Sequence, residues 1–158
     1  MRRLKLYQIN PNYIKYLAKY QKHIFISDGD KASRKYIGIV LEINEMKYFA
    51  PLSSFKSKHK RMKESVDLVK ISKYAVININ NMVPVPDGQF SLVDVNGVRD
   101  EHYRYLLQAE DREINRQRAR IIKNARIVYA HKLRNGVSTP LAKRTNDFAE
   151  LEKRCREY

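Results

Sequence analysis

Tryptophan is absent from this 158-residue chain, and cysteine, glycine and proline are scarce, with one, five and five copies. A lone Cys155 excludes an internal disulfide, which fits a reducing compartment; its place near the end of an expected helix points to packing, not chemistry. With 43% apolar residues the chain is no disordered polymer, and residues 1–158 are expected to form one domain with its own core. Apolar runs reach only strand length, which excludes a helical membrane span. Met1-Arg2-Arg3 leads into alternating residues instead of an apolar signal core, so the expected location is the cytoplasm, without a membrane partner. Acidic residues are the largest deficit: 17 Asp and Glu face 32 Lys and Arg, a net charge of +15. A field of that size gathers polyanions; nucleic acid, an anionic membrane or an acidic protein each satisfy it.

Several chemistries are missing as well. There is no Gly-rich phosphate loop, zinc-type spacing or nucleophile elbow. Asp28 and Asp30, within SDGDKASRK, lack the spaced ligands and closing glutamate of a calcium loop and read as a turn. No dense carboxylate cluster supports two-metal nuclease chemistry, so neither metal nor cofactor is expected. His23 and His131 have no constellation around them, and His102 precedes a long helix.

What is present is an ordered series of elements. Residues 4–7 alternate as a strand does, and Asn10-Pro11 is a helix start with Asn as cap. Residues 36–43 form a buried, β-branched strand, Asn44-Glu45 turns the chain, and residues 47–52 return antiparallel. Further strands are expected at 65–71, 75–79 and 82–85. Another follows at 90–95, after the hairpin signal Pro86-Asp87-Gly88. Residues 102–134 contain no Gly or Pro, and Leu107, Ile114, Ile121 and Val128 recur every seven positions. That is an amphipathic helix, or two with a short break, ended by Asn135-Gly136; its other face carries Arg112, Arg116, Arg118, Arg120, Lys123 and Arg126. A last helix is expected around Phe148, Leu151 and Cys155. An antiparallel sheet followed by helices is an α+β fold with a long C-terminal helical region.

The candidate site lies where the second strand of the hairpin ends. Ser53, Ser54, Lys56, Lys58, His59, Lys60, Arg61 and Lys63 fall within eleven positions. Hydroxyls donate to phosphate oxygens, and cations neutralise charge that grows as a phosphorane forms. His59 can serve as acid or base near neutral pH, or contact phosphate. In an antiparallel hairpin the start of the first strand lies beside the end of the second, so Lys31, Arg34 and Lys35 are expected near Ser53 and Ser54. Tyr103 and Tyr105 open the basic helix and are candidates for stacking on bases.

The segments YIGIVLEI, KYFAPLSSFK and NINNMVPV, followed by an LLQ helix start, resemble the ToxN/AbiQ-like toxins of type III toxin–antitoxin systems. The resemblance implies a compact single domain whose twisted antiparallel β-sheet core is flanked by helices. It implies a metal-independent endoribonuclease, acting in phage defence, that leaves 2′,3′-cyclic phosphates. Its partners would be target RNA and a small structured antitoxin RNA, often a pseudoknot, cut from a repetitive precursor and held in a cyclic toxin–RNA assembly. By position, the family's hydroxyl pair falls on Ser53 and Ser54 and its following lysine on Lys56, while a catalytic lysine is replaced by Arg34. Phe55 stands where the family often has proline, a change expected to loosen or re-aim the loop. The expected roles are catalysis by Ser53, Ser54, Arg34 and Lys56. RNA binding is expected from Lys31, Lys35, Lys58, His59, Lys60, Arg61, Lys63, Tyr103, Arg112 and Arg116. Composition alone leaves open a non-catalytic RNA-binding or ribosome-associated protein. A DNA-binding repressor is a third reading, for which no helix-turn-helix signal is evident.

Overall fold

The computed structural model of the protein describes residues 2–24 and 34–158. The first alternating run becomes strand β1 (Lys5–Ile9). It ends where Asn10 caps helix α1 (Pro11–Ala18): Asn10 Oδ1 accepts from the Asn12 N–H at 2.9 Å, and Pro11 occupies the first turn. The hairpin is β2 (Tyr36–Ile43) and β3 (Met46–Ser54). Asn44 and Glu45 both take positive φ, 53° and 64°, as a two-residue turn matched to strand twist requires. The short helix α2 (Ser57–Arg61) leads to β4 (Leu68–Ile71) and β5 (Ala75–Asn78), then through a 3₁₀ turn to β6 (Val83–Val85) and β7 (Phe90–Leu92). β4 is shorter than the expected 65–71, since Ser65 makes only an isolated bridge to Leu68.

The sheet runs β4-β5-β3-β2-β1-β7, with antiparallel neighbours throughout. β3 is long enough to pair β5 through Leu52, Ser53 and Ser54 and β6 through Lys47, Tyr48 and Phe49. Pro86-Asp87-Gly88 therefore does not close a hairpin: β6 lies on β3, whereas β7 takes the free edge of β1, with β2 between them. Aromatic packing accounts for that crossing. Phe90 sits 4.8 Å from Phe49 and 5.6 Å from Tyr7, ring to ring. Phe49 in turn lies over Gly38, where a Cβ would meet its ring carbons at 2.4 Å.

The long helical segment is two helices, α3 (Glu101–Arg116) and α4 (Arg118–Asn135), broken at Gln117, and Gly136 with φ 58° ends the second. The heptad residues Leu107, Ile114, Ile121 and Val128 are all buried. α5 (Pro140–Arg144), which the sequence reading did not anticipate, starts at Thr139-Pro140, with Thr139 Oγ1 accepting from Ala142 N at 3.0 Å; α6 (Phe148–Glu157) follows. α3 and α4 pack on one face of the sheet against Leu4, Leu6, Ile37, Tyr48 and Leu52. α1 packs on the other against Tyr36, Phe49, Val83 and Val85, with Leu151 of α6. A buried polar knot fastens α6 and α4 to the hairpin turn: Glu152 accepts from Tyr48 Oη at 2.6 Å, Tyr129 Oη at 2.7 Å and Asn44 Nδ2 at 3.1 Å. This is the expected α+β arrangement. Among the described residues no helix is long and apolar enough to cross a membrane. Cys155 is buried in the core, and burial pushes its thiol pKa up.

Candidate active site

Strand register builds the site. Tyr36 pairs with Pro51, and Leu52 N donates to Lys35 O at 2.9 Å, so the ladder continues outward until Arg34 faces Ser53. Arg34 Nη1 donates to Ser53 Oγ at 3.2 Å. Asn78, at the end of β5 on the other side of β3, donates its Nδ2 to the same oxygen at 3.1 Å. A hydroxyl has two acceptor lone pairs and one proton. Arg34 and Asn78 occupy both lone pairs, so what Ser53 has left to offer is its proton. It is set up as a hydrogen-bond donor and not as a nucleophile.

The surroundings fix the protonation states. Burial pushes the pKa of Arg34 down and the neighbouring Tyr36 pushes it back up, while a guanidinium remains charged near neutral pH. Burial raises Tyr36 to about 12, with Arg34 pulling the other way, so Tyr36 is a neutral phenol. His23 and Ile24, just beyond α1, line a narrow crevice together with Arg34, Tyr36, Pro51 and Asn81. His23 therefore does have a constellation around it, contrary to the sequence reading. Among the described residues no three His, Cys, Asp or Glu side chains gather as a metal site.

Ser54 parts company with Ser53. β3 continues through Ser54, and neighbouring residues on a strand face opposite ways. Ser54 is exposed on the α3 side of the sheet, and Lys35, half-buried, lies on the same side by the same alternation. Burial lowers the pKa of Lys35, and Glu110 of α3 opposes it. Glu110 is itself buried, and that burial raises it to about 7 against the pull of Lys35. The expected hydroxyl pair is thus one hydroxyl in the site and one on the reverse face.

The loop beyond is held by contacts to His59. His59 is buried; its Nδ1 accepts from the Lys56 N–H at 2.8 Å, and its ring lies 5.6 Å from that of Phe55. Burial, then Lys58, Lys56 and Lys70, push the imidazole pKa down, so His59 is a neutral structural cap and not the surface RNA contact expected. Lys56, Lys58, Lys60, Arg61 and Lys63 are exposed around it. Tyr103 is half-buried against the main core, whereas Tyr105 is exposed with Arg104 5.4 Å over its ring. Arg112 is exposed; Arg116 is exposed but its Nε donates to Glu113 at 2.8 Å. Lys31 lies outside the described residues.

Asn78 and His23 were missed. Asn78 carried a signal, a polar side chain closing the otherwise apolar strand Ala-Val-Ile-Asn on the face that Ser53 shares. His23 carried none, because its neighbours come from β2, β3 and the turn after β5.

A family model described as "Toxin ToxN, type III toxin-antitoxin system" matches residues 5–156. The chain belongs to the ToxN family. It is 29% identical over 165 residues to Endoribonuclease ToxN of Pectobacterium atrosepticum, covering 98% of this chain and 94% of that protein. It is 27% identical over 162 residues to Endoribonuclease ToxN of Bacillus thuringiensis subsp. kurstaki, covering 98% and 84%. A solved structure described as "A processed non-coding RNA regulates a bacterial antiviral system" superposes with a TM-score of 0.86 at 27% identity, covering 98% of each chain. The enzyme class of this ToxN-family chain is accordingly endoribonuclease. The three segments that suggested the family pointed to the right one.

Proposed function

We propose that this ToxN-family chain cuts single-stranded RNA without a metal, by attack of a ribose 2′-OH on its own 3′-phosphate. The O2′–P bond forms, the P–O5′ bond breaks, the departing O5′ takes a proton from water, and the products are a 2′,3′-cyclic phosphate and a 5′-hydroxyl. Arg34 and the Ser53 proton bind the non-bridging oxygens, where negative charge grows; Lys56, three residues beyond Ser53, adds charge at the same strand end. His23 accepts the 2′-OH proton: of the described crevice side chains, Arg34 is always protonated, Tyr36 holds its proton to about pH 12, and Asn81 does not titrate. The observation that carries this reading is the two-donor clamp on Ser53 Oγ, which leaves the hydroxyl proton as the group Ser53 can offer beside a guanidinium. Ser54 has no part in the chemistry.

The inhibitor in this reading is a small structured RNA that the toxin cuts from a repetitive precursor and that alternates with toxin molecules in a closed ring. A related solved structure is described as showing selective toxin inhibition by a non-coding RNA pseudoknot. The charge of +15, with Lys58, Lys60, Arg61 and Lys63 on one exposed turn, supports such a partner. The test is RNA cleavage in EDTA with analysis of the 3′ ends. Cyclic phosphates, and a loss of at least about a hundredfold in rate on Ser53→Ala or Arg34→Ala, are expected. Tight RNA binding with no cut product at high enzyme concentration would leave a non-catalytic RNA-binding protein instead.

A further inference from the structure

A second cationic surface lies on the Ser53 face of the sheet, where α1 meets α6. Residues 10–24 contain no Asp or Glu, and Lys15, Lys19 and Lys22 are all exposed. Beside them three tyrosine rings touch in series: Tyr16 is 5.5 Å from Tyr20 and 4.8 Å from Tyr158, centroid to centroid. Tyr20 and Tyr158 are 38% and 49% exposed, unlike Tyr13 on the same helix, which is fully buried with its hydroxyl donating to Pro84 O. Arg154 Cζ lies over the Tyr20 ring, 3.8 Å from the centroid. It also binds Glu150 and Glu157, at 2.8 and 3.2 Å, which occupies two of the nearby acids. The chain then runs from Tyr20 directly to His23 and Ile24 in the Arg34 crevice.

We propose that this surface is a track for single-stranded RNA, which rests on the reading that the Ser53 site cuts such RNA. Bases stack on Tyr20 and Tyr158, phosphates run along Lys15, Lys19 and Lys22, and the strand is led toward Ser53. Single-stranded RNA is the partner that fits, because exposed rings beside cations recognise unstacked bases, and a duplex hides its base faces. The opposite face, with the cations of α3 and α4, is separated from this one by the sheet.

The test is fluorescence anisotropy of a short labelled single-stranded RNA with Ser53→Ala protein, so that binding is read without cleavage. Tyr20→Ala and Tyr158→Ala should each weaken binding about tenfold, while Tyr20→Phe, which keeps the ring, should not. The triple variant Lys15→Gln, Lys19→Gln, Lys22→Gln should lower the slope of log affinity against log salt by about two, and it leaves the core untouched. Unchanged affinity in both alanine variants together with an unchanged slope would overturn the track. So would an effect confined to a hairpin RNA. Normal binding by these variants alongside wild-type RNA cleavage removes the track and leaves the nuclease standing. Weakened binding in a protein that never cuts removes the nuclease and leaves the surface.

Discussion

Replacing Asn78 by Asp changes one atom of the Ser53 clamp and inverts its logic. In the native protein Asn78 Nδ2 donates to Ser53 Oγ at 3.1 Å and Arg34 Nη1 donates at 3.2 Å, which leaves the hydroxyl proton for the substrate. Asn78→Ala removes one part-buried, neutral hydrogen bond, with a net contribution of about 0.5–1.5 kcal/mol. Ser53 keeps its other donor, so the cleavage rate should fall only about two- to tenfold. Asn78→Asp presents a carboxylate, which has no proton to give. It takes the Ser53 proton for itself, draws on the Arg34 charge, and sets a negative group beside the scissile phosphate. The rate should then fall at least about a hundredfold, close to Ser53→Ala, because a donor aimed at developing charge is lost outright. Lowering the pH through the carboxylate range should return part of that loss in the Asp variant and none in the Ala variant. The assay is single-turnover cleavage of a labelled RNA in EDTA, with thermal melts to confirm that each variant is folded. Asn78→Asp cutting as fast as Asn78→Ala would refute the donor role of Ser53.

His23→Gln should cost about a hundredfold or more in single-turnover rate, with added imidazole restoring part of it; a wild-type rate in the variant places the proton acceptor elsewhere. Gly38→Ala should lower stability by about 1–3 kcal/mol in urea unfolding, since a Cβ there meets the Phe49 ring at 2.4 Å and both sheet and ring must shift. Glu110 has its carboxyl raised from 4.5 to about 7 by burial, so it stabilises the fold while protonated. That contribution is complete below about pH 4.5 and is lost as pH rises through about 7. Stability should therefore fall across that window by up to about 3 kcal/mol, and Glu110→Gln should flatten the fall.

The hairpin was legible because two signals agreed: a β-branched run with strand-length bounds, and Asn44-Glu45 in a position that needs positive φ. The helices were legible from spacing, since Leu107, Ile114, Ile121 and Val128 could share a buried stripe only at helical period. The partner of β7 was not legible. Pro86-Asp87-Gly88 encodes a local reversal, but the edge the next strand joins is decided by Phe90 reaching Phe49 and Tyr7 over Gly38, contacts distant in sequence. The split of Ser53 from Ser54 was half legible. With the strand expected to stop at residue 52, both hydroxyls sat on one loop; two more residues of pairing with β5 put them on opposite faces. His59 was hidden by its neighbours, because a run of cations gives no sign that one ring turns inward.

Two departures from the family pattern suit each other in this geometry. Arg34 stands where the resemblance places a lysine, and a guanidinium carries five donors in a planar fork where an ammonium is a compact point charge. Its contact with Ser53 is made through Nη1, one corner of that fork. Phe55 stands where the resemblance places a proline. A proline would fix the backbone but lose the N–H that Phe55 donates to Tyr74 O at 3.4 Å. Here the Phe55 ring packs on His59, and His59 in turn holds the Lys56 amide, so the loop carrying Lys56 is set by side-chain packing in place of a rigid ring. Each substitution moves a constraint from the backbone, or from a bare charge, onto a contact with a defined direction.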